Sequence, residues 1–299
     1  MTADWTALIR NALVFDGTGA PPRREDVAVC DGRIAARGPS LPAERAARTV
    51  DAAGQWLMPG LLDIHTHLDL EVELAPGLPE SVRHGTTTVV VGNCSLGTAF
   101  GSQRRNGDDP ILDCFTRVEN IPKSVLRKVV DRIDWNTTAG YLAHLDTLPL
   151  GPNVVPLLPH SMLRIEVMGT QAAVSREPTA EELGRMQQLL EAAMQQGYAG
   201  FSTDAIPFHY LANAPHTDKR IPAQHASMGE LRSLLDIVRR HDRVWQCTPD
   251  AANRVATFLR FFFTSGRLFG KPLRTSALTA VDLTHERRTW KLFPAIATL

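Results

Sequence analysis

The chain has 299 residues, of which 43% are hydrophobic and 21% charged, and its 32 basic and 32 acidic side chains give a net charge of +0 at pH 7. This composition is ordinary for a globular enzyme, and the balanced charge argues against binding to nucleic acid or to an anionic membrane surface. No signal peptide and no apolar run of membrane-spanning length are found, so we expect a cytoplasmic location. The four cysteines are widely spaced without a Cys-x-x-Cys pattern, which argues against a disulfide framework.

The N-terminal part, residues 1–57, is predicted to form a small β domain. Residues 27–30 form a β-rich run that leads into Asp31 and Gly32, and residues 33–36 can return as the second strand. Residues 49–56 are predicted to form a third element of this domain. Asp-Gly between two such runs is a strong signal for a β-hairpin with a two-residue turn.

The remainder, residues 58–299, alternates short apolar runs with helical segments, which is typical of βα units around a parallel sheet. Six strands are predicted, at residues 61–64, 86–91, 153–158, 198–202, 244–247 and 273–276. The apolar run at residues 61–64 predicts that the first of them is buried. We therefore predict an α/β fold, a (β/α)8 barrel of which about six strands are present, preceded by the small sheet. Because the sequence ends at Leu299, before two further units, we expect a C-terminally truncated barrel.

A pair of histidines follows the first predicted barrel strand. His65 and His67 are separated by one residue, and Asp69 comes soon after them. On a strand this spacing places both imidazoles on one face, where their nitrogens can converge on one divalent ion. The alternative is one histidine in the core and one at the surface. The position at the end of an apolar strand entered through a Pro-Gly turn favours the metal site.

The stretch Pro-Gly-Leu-Leu-Asp-Ile-His-Thr-His, residues 59–67, resembles the amidohydrolase superfamily, and within it the N-acyl-D-amino-acid deacylases, or D-aminoacylases. Cys94, in Gly-Asn-Cys-Ser after the second predicted barrel strand, matches the metal-binding cysteine of that family. The resemblance implies hydrolysis of a small N-acyl amino acid at one or two divalent metal ions, with zinc held by His65, His67 and Cys94. A small buried cysteine without a ligand role is the alternative for Cys94.

Two more residues match family segments that line the substrate pocket. His160 follows the third predicted barrel strand, where the family has Gly-His and this chain has Pro159 in place of the glycine. Tyr210 lies near the position of a family pocket tyrosine, although the loop spacing differs. The resemblance implies substrate binding by both residues. A structural role for His160 and a packing role for Tyr210 are equally compatible with the sequence.

The chain also departs from the family pattern. Thr248 and Ala277 stand where the family has histidine ligands after strands five and six, and Asp204 replaces the last glycine of Gly-x-Ser-Thr-Gly. The catalytic general base of the family, an aspartate after strand eight, falls beyond the end of this chain. Asp204 and Asp250 are the carboxylates that could substitute for it.

Three functions are compatible with this pattern. The first is a metal-dependent hydrolase of linear amides that deacylates N-acyl-D-amino acids. The second is a catalytically inactive homologue, which the missing histidines favour. The third is a cyclic-amide hydrolase related to dihydropyrimidinase, which would carry a metal-bridging lysine after the fourth strand. No lysine lies near Ser202 to Asp204, which argues against the third function.

Overall fold

The computed structural model describes residues 4–103, 108–250, 253–266 and 270–278. The chain divides into two compact units, Met1–Leu61 and Leu62–Leu299. Residues 279–299, the segment on which the expected C-terminal truncation was based, lie outside the described part.

The first unit contains a five-stranded sheet. Its strands are β1 (Ala7–Val14), β2 (Arg23–Cys30), β3 (Arg33–Gly38), β4 (Thr49–Asp51) and β5 (Trp56–Leu57). The order is β3-β2-β1-β4, and β5 also pairs with β1. β2 runs antiparallel to both β1 and β3, whereas β4 and β5 run parallel to β1.

The predicted hairpin is confirmed between β2 and β3. Asp31 and Gly32 both have positive φ angles, of 50° and 70°, as a two-residue turn between right-twisted strands requires. The single predicted element at residues 49–56 is instead two short strands, β4 and β5.

The second unit contains a six-stranded sheet whose order follows the sequence. Its strands are β6 (Leu61–Asp63), β7 (Thr86–Val91), β8 (Asn153–Pro159), β9 (Gly200–Asp204), β10 (Val244–Thr248) and β11 (Arg274–Ala277). The pairs from β7 to β11 are parallel. All six predicted strands are present, each within two residues of its predicted bounds, and the curled parallel sheet forms about half of the predicted barrel.

One prediction about this sheet is wrong. The residues around β6 were expected to be buried, but Leu61, Leu62 and Ile64 are 47%, 56% and 52% exposed. The reason is topological, because β6 is an edge strand of the described sheet and has a neighbour on one side only. An apolar run therefore identified the strand correctly without identifying its surroundings.

Ten α-helices connect and cover the strands in the described residues. They are α1 (Glu71–Leu74), α2 (Pro79–Arg83), α3 (Pro110–Val118), α4 (Lys123–Val130), α5 (Thr138–Leu145), α6 (His160–Met168), α7 (Thr170–Ala173), α8 (Ala180–Gln196), α9 (Met228–Arg240) and α10 (Arg254–Thr264). None of these described helices combines the length and the apolar character that crossing a membrane requires.

Helix α8 shows how the sequence fixes a helix at both ends. The Thr179 hydroxyl accepts a hydrogen bond from Glu182 N, and the Glu182 carboxylate accepts one from Thr179 N, which completes a capping box. Gly197 ends the helix with a φ of 115°, a conformation that glycine adopts readily. The buried side chains Met186, Leu190, Ala193 and Met194 share one face and join the main core of the second unit.

Candidate metal centre

His65 and His67 lie in the chain segment that follows β6 rather than on the strand itself. Their ring centroids are 5.4 Å apart and the rings are nearly perpendicular, at 75°. Thr66 between them is buried, and its hydroxyl donates to the carbonyl of Val90 at 2.7 Å. Asn93 donates from Nδ2 to the carbonyl of Thr66 at 3.1 Å. The backbone between the two histidines is therefore held against the end of β7.

Cys94 follows β7 and is brought to the same place. Its Sγ lies 3.2 Å from Nε2 of His65. Its backbone has a φ of 51°, which is uncommon for a residue other than glycine and recurs at functional sites. Cys94 N donates to Oε1 of the buried Gln246 at 2.9 Å, which helps to hold this conformation. Among the described residues, His65, His67 and Cys94 each offer a donor atom within 4.8 Å of the other two.

The electrostatic surroundings keep these three side chains neutral. Burial lowers the pKa of His65, and burial with the nearby charges of His65 and His209 lowers the pKa of His67 to about 3. Burial and the charge of Asp204 raise the pKa of the Cys94 thiol. Neutral imidazole is the form of histidine that binds metal, since the ring nitrogen must offer its lone pair.

Two unpartnered atoms border the cluster. Nδ1 of His67 is buried without a hydrogen-bond partner in the described structure, although buried polar atoms are nearly always paired. Asp69, which is fully buried, accepts from Gly92 N at 2.8 Å through Oδ1, whereas its Oδ2 likewise has no partner there. Burial raises the pKa of Asp69 to about 7. A cation among these groups would satisfy lone pairs that the protein leaves free, so the donor set fits zinc.

Glu119 adds a carboxylate that the sequence analysis missed. It follows α3, and its Oε1 lies 3.4 Å from Nε2 of His67. Burial raises the pKa of Glu119. No motif marks Glu119, because it lies at the end of a helix that is distant in sequence from the two histidines.

Asp204 and Thr248, two of the residues that differ from the family pattern, are hydrogen-bonded to each other. They face each other in the register of β9 and β10, and Thr248 Oγ1 donates to Asp204 Oδ2 at 2.6 Å. Ala277, the third departure, ends β11 and faces Cys247 of β10. At the two positions where the resemblance implies histidine ligands, this chain thus has the Thr248 hydroxyl, which is bonded to Asp204, and the methyl group of Ala277. Asp250, the other candidate base, accepts a hydrogen bond from Asn253 N at the start of α10.

His160 is part of a buried ionic cluster. Its Nε2 lies 2.7 Å from Glu230 Oε1, while Arg164 donates to the other oxygen of the same carboxylate. Burial raises the pKa of Glu230, but the hydrogen bonds and charges of His160 and Arg164 outweigh it and hold that pKa below its usual value. All three side chains are at most 2% exposed. Substrate binding by His160 stays a prediction.

The stability of the fold is expected to depend on the protonation of His160. Burial lowers the pKa of its imidazole in spite of Glu230, so the unfolded chain binds the proton more tightly than the native chain. The contribution of neutral His160 to the free energy of unfolding is fully present above a pH of about 6.5. It is lost as the pH falls through the lowered pKa of His160 in the native chain. Urea unfolding between about pH 7.5 and 5 should show less loss in His160→Gln than in the original chain. The exposed control His84→Gln should leave the pH dependence unchanged, and an unaltered profile in His160→Gln would contradict the prediction.

Tyr210 lies beside Arg117. The guanidinium carbon of Arg117 is 5.0 Å from the centre of the Tyr210 ring, and Arg117 also donates to the carbonyls of Leu211 and Thr217 at 3.1 and 2.6 Å. A cation over a tyrosine ring is a favourable contact, so Arg117 of α3 helps to hold the segment that carries Tyr210. Substrate binding by Tyr210 also stays a prediction.

The chain belongs to the amidohydrolase family, because residues 48–233 match the sequence profile of that family. It is 41% identical over 288 residues to an uncharacterized protein of Mycobacterium tuberculosis, an alignment that covers 94% of this chain and 46% of the relative. It is also 37% identical over 219 residues to the N-acyl-D-aspartate deacylase of Alcaligenes xylosoxydans xylosoxydans, covering 72% of this chain and 39% of that enzyme. The chain thus spans less than half the length of these relatives.

Solved structures agree with this assignment. A crystal structure of D-aminoacylase superimposes with a TM-score of 0.72 at 26% identity, covering 98% of this chain and 56% of that one. The N-acyl-D-glutamate deacylase of Bordetella bronchiseptica, solved with zinc and a phosphonate inhibitor, gives a TM-score of 0.72 at 27% identity over the same shares. The predicted family resemblance and fold class are therefore confirmed.

Proposed function

We propose that this chain carries the metal-binding part of a hydrolase that deacylates N-acyl-D-amino acids, with zinc held by His65, His67 and Cys94. The observation that supports the proposal most is the convergence of these three donors from the ends of β6 and β7 within 4.8 Å of one another. The family membership and the deacylases among the relatives support the same chemistry. One zinc ion is the simplest occupant, since three protein ligands with a further open position are typical of catalytic zinc sites.

The residues present define what the protein itself would contribute. His65 and His67 stay neutral because burial lowers their pKa values, so they offer lone pairs at neutral pH. Cys94 is held in place through its backbone by Gln246. Zinc at such a site supplies Lewis acidity, which activates water and polarises an acyl carbonyl. Glu119 places a carboxylate at the rim, where it can hold a proton.

A catalytically inactive homologue is the second candidate. The pairing of Thr248 with Asp204, together with Ala277, favours it, because neither position offers a histidine ligand. In that case the three-donor cluster would bind metal weakly and the chain would hydrolyse no amide.

Metal content tests the proposal. Elemental analysis of the purified chain should find about one zinc ion per chain. The double variant His65→Ala/His67→Ala should lose it, whereas His84→Ala, which removes an exposed histidine, should retain it. The zinc-loaded chain should then be assayed on N-acetyl derivatives of D- and L-amino acids. Zinc without turnover would support the inactive homologue, and a folded chain without metal would overturn the proposed function.

A further inference from the structure

Asp204 and His209 form a buried pair at the carboxyl end of β9. Nδ1 of His209 lies 2.9 Å from Oδ2 of Asp204. The Asp204 side chain is fully buried, and that of His209 is 10% exposed. Family resemblance assigns no role to either residue, because Asp204 stands where the family has glycine.

Asp204 is held by hydrogen bonds to both of its oxygens. Oδ2 also accepts from Thr248 Oγ1 at 2.6 Å, and Oδ1 accepts from Gln224 Nε2 at 2.7 Å and from Ile206 N at 3.1 Å. Four donors around one carboxylate fix its orientation. The carboxylate is therefore a rigid acceptor for the His209 ring.

The His209 ring is fixed in turn. Its backbone is hydrogen-bonded on both sides, since His209 N donates to the carbonyl of Ile206 at 3.2 Å and Ile221 N donates to the carbonyl of His209 at 3.1 Å. A carboxylate that accepts from Nδ1–H selects the tautomer in which Nε2 carries the lone pair. This is the way in which an aspartate prepares a histidine to move protons in hydrolases that use such pairs.

The His209 ring lies on the side of the sheet that carries the candidate metal site. Asp204, which holds the ring, is the last residue of β9, and Cys94 follows the parallel strand β7 at the same edge of the sheet. Thr248, which donates to Asp204, lies two residues beyond Gln246 on β10, and Gln246 accepts the hydrogen bond from Cys94 N. Among the described residues, the metal-donor group comprises His65, His67 and Cys94 and does not include His209. The His209 ring therefore lies at the same edge of the sheet as the three metal-donor residues without being one of them.

We infer that His209 is the proton carrier of this site and that Asp204 is its positioning residue. The inference rests on the proposed amide hydrolysis. Nε2 would take a proton from the attacking water as the new C–O bond forms, and would return it to the amide nitrogen as the C–N bond breaks. The products are a carboxylate and a free amine, and no further reactant is needed.

The tautomer of His209 tests the pair without any assay of turnover. In nitrogen-15 NMR spectra of the labelled chain, the neutral form of His209 should carry its proton on Nδ1, and His209→Gln identifies its signals. Asp204→Asn should shift His209 towards the other tautomer. A proton on Nε2 in the original chain, or a tautomer that Asp204→Asn leaves unchanged, would overturn the inference.

Turnover tests the role of the ring. In the zinc-loaded chain, His209→Ala should lower kcat by about 10²- to 10⁴-fold, with zinc content unchanged, and added imidazole should restore part of the rate. His84→Ala serves as the matched control. An unchanged kcat in His209→Ala would overturn the inference. Absence of turnover in the zinc-loaded original chain would instead be a failure of the proposed function, and the NMR result would then decide on the Asp204–His209 pair by itself.

Discussion

Replacement of Glu230 by alanine is expected to lower the free energy of unfolding by about 3–5 kcal/mol. Glu230 is the carboxylate of the buried cluster with His160 and Arg164, and the Arg164 side chain is fully buried. Without Glu230 the guanidinium would keep, within the described part of the chain, hydrogen bonds to the carbonyls of Ala173 and Arg176, at 3.1 and 3.0 Å. Its charge would remain in the interior without a counter-ion, which costs far more than the net value of the intact pair.

Urea unfolding at neutral pH measures this loss. The matched control is Glu181→Ala, which removes an exposed glutamate from the first turn of α8, as Glu230 lies in the first turn of α9. It should change stability by no more than about 0.5 kcal/mol. The double variant Glu230→Leu/Arg164→Met should recover much of the loss, because it removes both charges together. A loss in Glu230→Ala as small as in the control would show that the cluster is not buried as described.

The second large effect is expected for Gly200→Ala. Gly200 begins β9 opposite Val244 of β10, and an added Cβ would lie 1.9 Å from the carbonyl oxygen of Val244. Backbone atoms of a paired strand cannot move aside as a flexible side chain would. We therefore expect a loss of about 3 kcal/mol, at the upper end of overpacking effects, and a displacement of β9 relative to β10.

Gly184→Ala is the natural comparison, because a Cβ at Gly184 in α8 meets no atom within 4 Å. It should stabilise the helix by about 1 kcal/mol, since alanine is the better helix former. The two substitutions are chemically identical and are predicted to have opposite signs in the same denaturation assay. Gly200→Ala should also shift the NMR signals of His209, because Asp204 and Thr248 lie farther along the same two strands. Equal effects of the two substitutions would contradict the close approach of β9 to β10.

Local patterns in the sequence were sufficient for much of the fold. Asp31-Gly32 specified the hairpin, Thr179 and Glu182 specified the start of α8, and short β-branched or apolar runs located all six strands of the second sheet. These features depend on neighbours a few residues away, so a single sequence reveals them. The apolar run at residues 61–64 located β6 correctly but not its exposure, since exposure depends on what lies beyond the edge of a sheet.

The candidate site was found only in part from the sequence. His65, His67 and Cys94 were selected because each follows a predicted strand, and the carboxyl ends of parallel strands meet on one side of a sheet. Glu119 and His209 were not selected, because both come from irregular segments whose paths no local pattern predicts. The sequence indicates only that Asp204 could substitute for the base, whereas the structure shows it buried with four hydrogen bonds to its carboxylate.

The sequence by itself determined the strand and helix pattern, the family, and the three residues that could hold a metal. Only the tertiary structure decided which polar side chains meet. It paired Asp204 with Thr248 and His209, joined His160 to Glu230, and brought Glu119 to His67. The physical reason is that secondary structure follows from contacts a few residues apart. Cross-strand register and helix packing instead bring together groups distant along the chain, and a buried polar group is stable only where such a partner is supplied.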